Sequence, residues 1–136
     1  MKAGTALALV VAVSAVIAGC AAMGGSPVRF SGGVLVNSAG MTLYTFDKDP
    51  VGSGKSVCND KCAVAWPPLR ATAQDQPGDD FTIIARDDGS RQWAYKGKPL
   101  YLWVKDQKPG DRTGDGFNQA WRVVHQEHAP TTGGGY

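Results

Sequence analysis

Two stretches of the chain share one spacing of aromatic and acidic residues: LYTFDKD at residues 43–49 and LYLWVKD at residues 100–106. In both, a Tyr-x-(Phe or Trp) pair is followed three residues later by aspartate, and the two copies lie 57 positions apart. Each copy continues through a glycine-rich polar loop to a tryptophan, Trp66 or Trp121. The recurrence predicts two related units that form a pseudo-symmetric fold within one domain.

The residues around these stretches have the patterns of β-hairpins. Residues 34–46 contain two apolar runs around a turn signal at 37–40, and residues 93–103 repeat this arrangement around 96–98. Asp88-Gly89 separates two further strand-like runs and favours a tight hairpin turn. We therefore expect a mainly β (α+β) domain of antiparallel hairpins with one or two short helices.

One helix is predicted in SVCNDKCAVAWPP at residues 56–68. Cys58, Cys62 and Trp66 recur every fourth residue, which is helical spacing. Ser56 is suited to cap the first turn, and the two prolines at the end would stop the helix. Phe117 and Trp121 are also four residues apart, so a shorter helical turn is expected before Trp121.

Strand alternation indicates which way the aromatic side chains point. Tyr44 and Phe46 share one face of their strand, and the opposite face becomes polar towards its end, so the aromatic face should be buried. Tyr101 and Trp103 follow the same rule. Leu100, Leu102 and Val104 make the opposite face of that second strand apolar as well, which predicts a central strand covered on both sides. The alternative is an exposed aromatic shelf that binds a ligand.

Asp49 and Asp106 each stand three residues beyond a predicted buried ring, where strand gives way to loop. A carboxylate at such a position can accept hydrogen bonds from loop N–H groups and hold a glycine-rich turn in place, which is the role we expect. The alternative is cation binding, because DRTGDG at residues 111–116 offers oxygen ligands at alternate positions. That stretch lacks the acidic twelfth residue of a calcium loop, where Arg122 stands instead.

The N-terminus has the pattern of an export signal. A short positive start is followed by an apolar run at residues 6–18, which is too short to cross a membrane as a helix. Ala18 and Gly19 before Cys20 resemble the lipobox of bacterial lipoproteins, whose cysteine is acylated. Residues 1–19 are therefore predicted to be a lipoprotein signal peptide, with Cys20 anchored in the lipid bilayer. An ordinary cleaved signal is the alternative.

Beyond the signal, we expect a flexible tether at residues 20–32, a duplicated domain at 33–125 with repeats of about 33–72 and 90–125, and a flexible tail at 126–136. Loss of Lys2 leaves 13 Lys and Arg against 12 Asp and Glu, so no nucleic-acid partner is expected. The predicted location is the bacterial cell envelope. Ala21 resembles the pattern routed to the outer membrane where the source has two membranes.

The two motif copies, the CNDKCAVAWPPL element at residues 58–69 and the closing tryptophan resemble a known family. The family comprises bacterial predicted lipoproteins named for a Yx(FWY)xxD motif, whose domain is described as a secreted repeat of unknown function. The resemblance covers nearly all of residues 33–124. It implies envelope localisation and a duplicated domain, and it supplies no established activity from which catalytic residues could be carried over.

Cys58 and Cys62 are expected to form a disulfide after secretion, because an even pair in an oxidising compartment most simply does so. Residues four apart on a helix lie within bridging distance. An exchangeable redox pair is a second possibility. Metal binding is a third, with His125, His128 and Met41 as the further donors available to the two thiolates.

No hydrolase or nucleotide-binding pattern is present. GSGKS at residues 52–56 does not have the spacing of a phosphate-binding loop, because Asp49 stands where the first glycine should be. We therefore expect no enzyme activity, no cofactor and no metal. The favoured function is a non-enzymatic envelope module that contacts another envelope protein or a small ligand. The alternative is a thiol-disulfide or metal-linked redox protein that uses Cys58 and Cys62.

Overall fold

The strands of this protein are short and are joined by tight turns. The computed structural model describes residues 27–127 together with residues 4, 12 and 13. Cys20, His128, nearly all of the predicted signal peptide and most of the predicted tether and tail lie outside the described residues. In chain order the elements are β1 (Val28–Ser31), β2 (Val34–Asn37), β3 (Tyr44–Phe46), α1 (Lys61–Ala65), β4 (Phe81–Ala85), β5 (Arg91–Tyr95), β6 (Lys98–Pro99), a 3₁₀ turn (Phe117–Gln119) and β7 (Trp121–Val123).

This content confirms the prediction of a mainly β domain with short helical pieces. Among the described residues, no helix has the length and apolar character needed to cross a membrane.

Each half of the domain begins with an antiparallel hairpin. Strands β1 and β2 pair from Ser31↔Val34 to Val28↔Asn37, and the two connecting glycines, Gly32 and Gly33, have φ of 59° and 82°. Both angles lie in the left-handed region that a two-residue hairpin turn requires. In the second half, β4 pairs with β5 across the predicted Asp88-Gly89 turn. Strand β5 then pairs with β6.

The first hairpin corrects the predicted tether. Residues 28–31, assigned above to a flexible segment at 20–32, form β1 instead. The prediction gave weight to the glycines and overlooked the apolar side chains. Val28 is 7% exposed and packs in the core with Leu35, and Phe30 packs at its margin. The ordered domain therefore includes Val28.

The two halves are joined because the last strand of one lies against the third strand of the other. Strand β7 pairs with β3 through Tyr44↔Val123 and Phe46↔Trp121. Conversely, the end of the first half lies against the second half: Pro68 bridges to Tyr101, and the Leu102 N–H donates to the Pro67 carbonyl. Residues 66–69 are the counterpart in the first repeat of β7 in the second. They do not form a regular strand, because Pro67 and Pro68 have no N–H to donate.

The prediction of a central strand at residues 100–104 is partly wrong. Regular pairing of this segment ends at Pro99, after which Tyr101 makes isolated bridges to both Tyr44 and Pro68. Tyr101 is therefore central, as expected. The opposite face is not fully covered, because Val104 is 54% exposed and Leu102 is half-buried. Leu100, at the start of that face, is the one of its three apolar residues that is fully buried.

At the centre of the domain, equivalent residues of the two repeats bond to each other. The Tyr44 N–H donates to the Tyr101 carbonyl at 2.8 Å, and the Tyr101 N–H donates to the Tyr44 carbonyl at 2.9 Å. This reciprocal pair lies where a two-fold relation between the repeats would place its axis. The predicted two-repeat architecture is thus present in the strand pairing.

The core consists of two clusters of buried side chains. One is built around four stacked rings, which we call the aromatic stack: Phe46, Trp121, Trp66 and Trp103. Successive ring centroids lie 4.2, 3.8 and 3.9 Å apart. The other cluster is largely aliphatic and contains Val28, Leu35, Leu43, Leu69, Trp93 and Leu100. Burial of large side chains of this kind stabilises the folded state by about 1.5 to 3 kcal/mol each.

The predicted helix is shorter than expected and is capped differently. Helix α1 begins after Asp60, whose φ is 53°, and no side chain caps it. Ser56, the predicted cap, is buried and bonds to the Tyr101 hydroxyl instead. A short 3₁₀ turn precedes Trp121, as predicted, and it departs from helical geometry at Asn118, whose φ is 50°.

Candidate functional site

The four polar residues of the two motif copies meet in crossed pairs. The tyrosine of each copy donates its hydroxyl hydrogen to the aspartate of the other copy: Tyr101 to Asp49 and Tyr44 to Asp106. We call these the Asp49 contact and the Asp106 contact. The motif is repeated because each copy supplies half of both contacts.

In the Asp49 contact, the carboxylate also fastens the loop that follows it. Asp49 Oδ2 accepts from the Tyr101 hydroxyl, and Oδ1 accepts from the Val57 N–H at 2.8 Å. The two ends of the loop at residues 50–56 are thereby held together. The predicted role of Asp49, as acceptor from a loop N–H group, is confirmed.

In the Asp106 contact, the equivalent loop is held in the same manner. Asp106 Oδ2 accepts from the Tyr44 hydroxyl at 2.6 Å. Its Oδ1 accepts from the Thr113 N–H at 3.0 Å and from the Thr113 hydroxyl at 2.6 Å. The Gly114 N–H donates to the Tyr44 oxygen at 3.3 Å. The predicted role of the second aspartate is therefore also confirmed.

Burial sets the protonation of these groups. Desolvation, reinforced by the carboxylate hydrogen bond, raises the pKa of Tyr44 and of Tyr101 far above the ordinary value of 10.0. Both hydroxyls therefore remain protonated donors at neutral pH. Burial also raises the pKa of Asp49, against hydrogen bonds from Tyr101 and Val57 and the charge of Arg86, which lower it.

A buried polar network surrounds the Asp49 contact. Arg86 is 5% exposed and donates through Nη1 to Ser56 Oγ at 3.0 Å and to Gln92 Oε1 at 2.7 Å. Through Nη2 it donates to the Cys58 carbonyl and to Asn59 Oδ1. Gln92 in turn donates to the Leu100 carbonyl at 2.7 Å.

Sequence reasoning missed this network. Alternation places Gln92 on the face of β5 opposite Trp93, so the only signal for its burial would have been a strand covered on both faces. Arg86 gives no such signal, because it follows an apolar run at the position where a strand usually meets solvent.

The motif rings and closing tryptophans lie in the aromatic stack. Trp66 and Trp121 are parallel, with an interplanar angle of 2°, and Tyr44 and Tyr101 meet them edge-on. Trp66, Trp121 and Trp103 are buried and Phe46 is half-buried. The aromatic side chains therefore form core, as favoured above, and the alternative of an exposed aromatic shelf is wrong.

Cys58 and Cys62 form the predicted disulfide, with Cα atoms 5.2 Å apart. Cys58 lies directly after Val57, the residue whose N–H bonds to Asp49, so the bridge adjoins the Asp49 contact. Cys58 is fully buried and Cys62 is half-buried. In this state neither sulfur is a free thiolate.

The residues suggested for metal binding do not converge. Asp111 accepts from the backbone N–H groups of residues 107 and 108, and Asp115 accepts from the Val123 N–H at 3.1 Å. Within residues 27–127, no group of three or more His, Cys, Asp or Glu side chains is placed to hold a metal ion. His125 is exposed, Met41 is half-buried, and His128 lies outside the described part of the chain.

The fold and the motif together define a duplicated β domain fastened at its centre by reciprocal tyrosine-aspartate contacts. A family model described as "secreted repeat of unknown function" matches residues 28–70 and 82–125. The two matches together span more than half of the chain, so the protein belongs to this family. Comparison with curated proteins and with solved structures found no significant match.

The two family matches agree with the repeats described above. The first begins at Val28, the first residue of β1, and the second begins inside β4. Each match therefore contains one hairpin, one motif copy and one closing tryptophan. The description of the family as secreted agrees with the predicted export of the chain.

Proposed function

We propose that this protein is a non-enzymatic module of the bacterial cell envelope, anchored in the lipid bilayer through an acylated Cys20. Its rigid duplicated domain contacts another envelope protein or a small ligand through its surface. In a source with two membranes, Ala21 after the anchor directs the protein to the outer membrane.

The burial of the motif is the observation that supports a non-enzymatic role. Asp49 and Asp106 are 4% and 8% exposed, and both tyrosines are fully buried. Their hydrogen-bonding groups are used by each other and by the adjoining loops. A substrate would reach them only if the core opened, so the residues that define the motif serve the fold. Recognition is then the task of surface residues.

The anchor is tested by substitution of its cysteine. Cys20→Ser, produced in a bacterium that acylates lipoproteins, should move the protein from the membrane fraction to the soluble fraction. The matched control is the double variant Cys58→Ser/Cys62→Ser, which removes the other cysteines and should stay with the membrane. Retention of Cys20→Ser on membranes after washing with high salt would show that the attachment is of another kind.

The binding role is tested by capture from native envelopes. The acylated protein is cross-linked in intact cells, purified, and compared with the Cys20→Ser form under the same conditions. A partner recovered only with the anchored form supports the proposal. Turnover of any envelope component by the purified protein would contradict the non-enzymatic part.

Thiol-disulfide exchange is a second candidate function. It is favoured by one observation: the Cys58–Cys62 bridge closes a loop of only a few residues, and Cys62 is partly exposed to a reductant. Equilibration with glutathione buffers, followed by thiol alkylation, measures its stability to reduction. Resistance to the glutathione pool counts against exchange, whereas ready cycling at neutral pH supports it.

A further inference from the structure

A cleft of about 440 Å³ lies beside the β1–β2 hairpin and is separate from the motif contacts. Its lining includes Val34, Val36 and Thr42, each of which is at most 3% exposed. Arg29, from β1, and Arg112, from the loop after Asp106, supply its charge. The volume lies within the range of sites that take small ligands.

Both guanidinium groups are held in place by backbone carbonyls. Arg29 Nη1 donates to the carbonyls of Asn37 and Ser38 at 3.2 and 3.3 Å, and Arg112 Nη2 donates to the Gly32 carbonyl at 3.0 Å. Carbonyls orient a guanidinium without removing its charge. No acidic side chain lines this cleft, and neither arginine forms an ion pair with the described residues.

A second basic cleft shows the contrast. It is lined by Lys96, Lys98 and Arg122, but Lys96 pairs with Glu127 at 2.6 Å and Arg122 pairs with Asp47 at 2.9 Å. Two of its three basic side chains are therefore already compensated by acidic side chains. The cleft between Arg29 and Arg112 keeps two positive charges and the remaining N–H donors of both guanidinium groups.

We propose that Arg29 and Arg112 bind the phosphate groups of anionic phospholipid headgroups, each arginine taking one phosphate. A guanidinium matches the geometry of a phosphate by donating two parallel hydrogen bonds. This proposal rests on the anchoring of Cys20 proposed above.

The position of the cleft favours a lipid as the source of the phosphate. Val28 lies eight positions after Cys20, and whatever its conformation this segment spans at most about 28 Å. Arg29 follows Val28 directly, at the start of the strand that lines the cleft. The anchor therefore keeps the cleft near the headgroups, whose local concentration is high. Binding there would fix which face of the domain is turned to the membrane.

The test uses the mature protein, purified from envelopes and reconstituted in nanodiscs of phosphatidylcholine alone or mixed with phosphatidylglycerol. The Nε–Hε NMR signals of Arg29 and Arg112 report binding at the cleft. We expect both signals to shift with phosphatidylglycerol and not with phosphatidylcholine, and salt to weaken the effect. In a separate arm, inorganic phosphate is titrated into the Cys20→Ser protein.

Substitutions of the two cleft arginines test how much each contributes to the affinity. Arg29→Gln and Arg112→Gln should each lower the apparent affinity for phosphatidylglycerol about fivefold, the effect of one basic residue near an anionic surface. Arg29→Lys should keep part of the affinity, because the positive charge remains although the paired N–H donors of the guanidinium are lost. Arg91→Gln, an exposed arginine on β5, is the charge-matched control and should leave the affinity unchanged.

The outcomes separate this proposal from the anchor. Failure of the protein to insert into either disc contradicts the anchoring, while the phosphate titration still tests the cleft. Signals that do not shift in either arm overturn the proposed site. A shift with inorganic phosphate alone overturns the lipid as its source. An equal loss with Arg91→Gln would show an effect of overall charge and would also overturn the site.

Discussion

The loop that follows Asp49 and the loop that follows Asp106 are each held by a tyrosine-aspartate contact, but the residues around the two contacts differ. Ser56 and the buried Arg86 lie around Asp49, and the Cys58–Cys62 disulfide begins two residues after Ser56. Around Asp106 lie a threonine and Gly114, which packs directly against Trp66. The two repeats thus share the tyrosine-aspartate contact, whereas the residues that fill the space beside it differ.

The largest expected effect tests whether the closing tryptophans are equivalent. Trp66→Ala and Trp121→Ala should each lower the free energy of unfolding by about 3 to 5 kcal/mol, because each removes one of the two central rings of the stack. Denaturant unfolding of both variants measures this. A melting midpoint that stays unchanged in either variant would contradict the equivalence.

The next effect concerns a position where the two repeats differ. Gly114→Ala should destabilise the protein by about 1 to 3 kcal/mol, because the added Cβ would lie 2.6 Å from Trp66 Cη2. Gly78→Ala is the control, since its Cβ would meet nothing within 4 Å. If both variants unfold at the same denaturant concentration, Gly114 does not have the close contact described.

A smaller difference is expected between the two hydroxyls. Tyr101→Phe leaves Asp49 with one loop N–H, whereas Tyr44→Phe leaves Asp106 with two donors from Thr113. We expect a loss of about 2 to 3 kcal/mol for Tyr101→Phe and about 1 to 2 kcal/mol for Tyr44→Phe. Half-buried Tyr95→Phe, which touches neither aspartate, serves as control. The reverse order would mean that the surrounding network compensates for the lost donor.

The smallest effect is a pH dependence at Asp49. Burial raises the pKa of Asp49 above 3.8, so the folded protein holds the proton more tightly than the unfolded chain. The stability contributed by this carboxyl is therefore greatest in acid and is lost as pH rises from 3.8 through the raised pKa. The difference in unfolding free energy between wild type and Asp49→Asn should fall across that interval. A difference that grows with pH would contradict the direction of the shift.

Local patterns in the sequence predicted the parts of the fold that depend on near neighbours. The turns at Asp88-Gly89 and at residues 37–40, the disulfide and the burial of Tyr44 and Tyr101 all follow from spacing within a few residues. The loop-holding role of Asp49 also follows from its place at the end of a strand. These features need no knowledge of what lies across the domain.

The crossing of the contacts could not be predicted in the same way. Tyr44 lies 62 residues from its acid Asp106, and each tyrosine has a nearer aspartate in its own motif copy. Which one it meets depends on how the halves pair, and alternation along one strand carries no information on that. Arg86 was missed for the same reason, because only tertiary packing brings it to Ser56.

The crossed contacts have a consequence for the origin of the molecule. A solitary unit would bury a tyrosine with no acid to receive its hydrogen and an aspartate with no ring to supply one. Two separate copies of one chain would satisfy both needs at once by associating about a dyad, as isologous homodimers do. The geometry therefore fits an ancestor that was a dimer, whose subunits a gene duplication later joined into a single polypeptide.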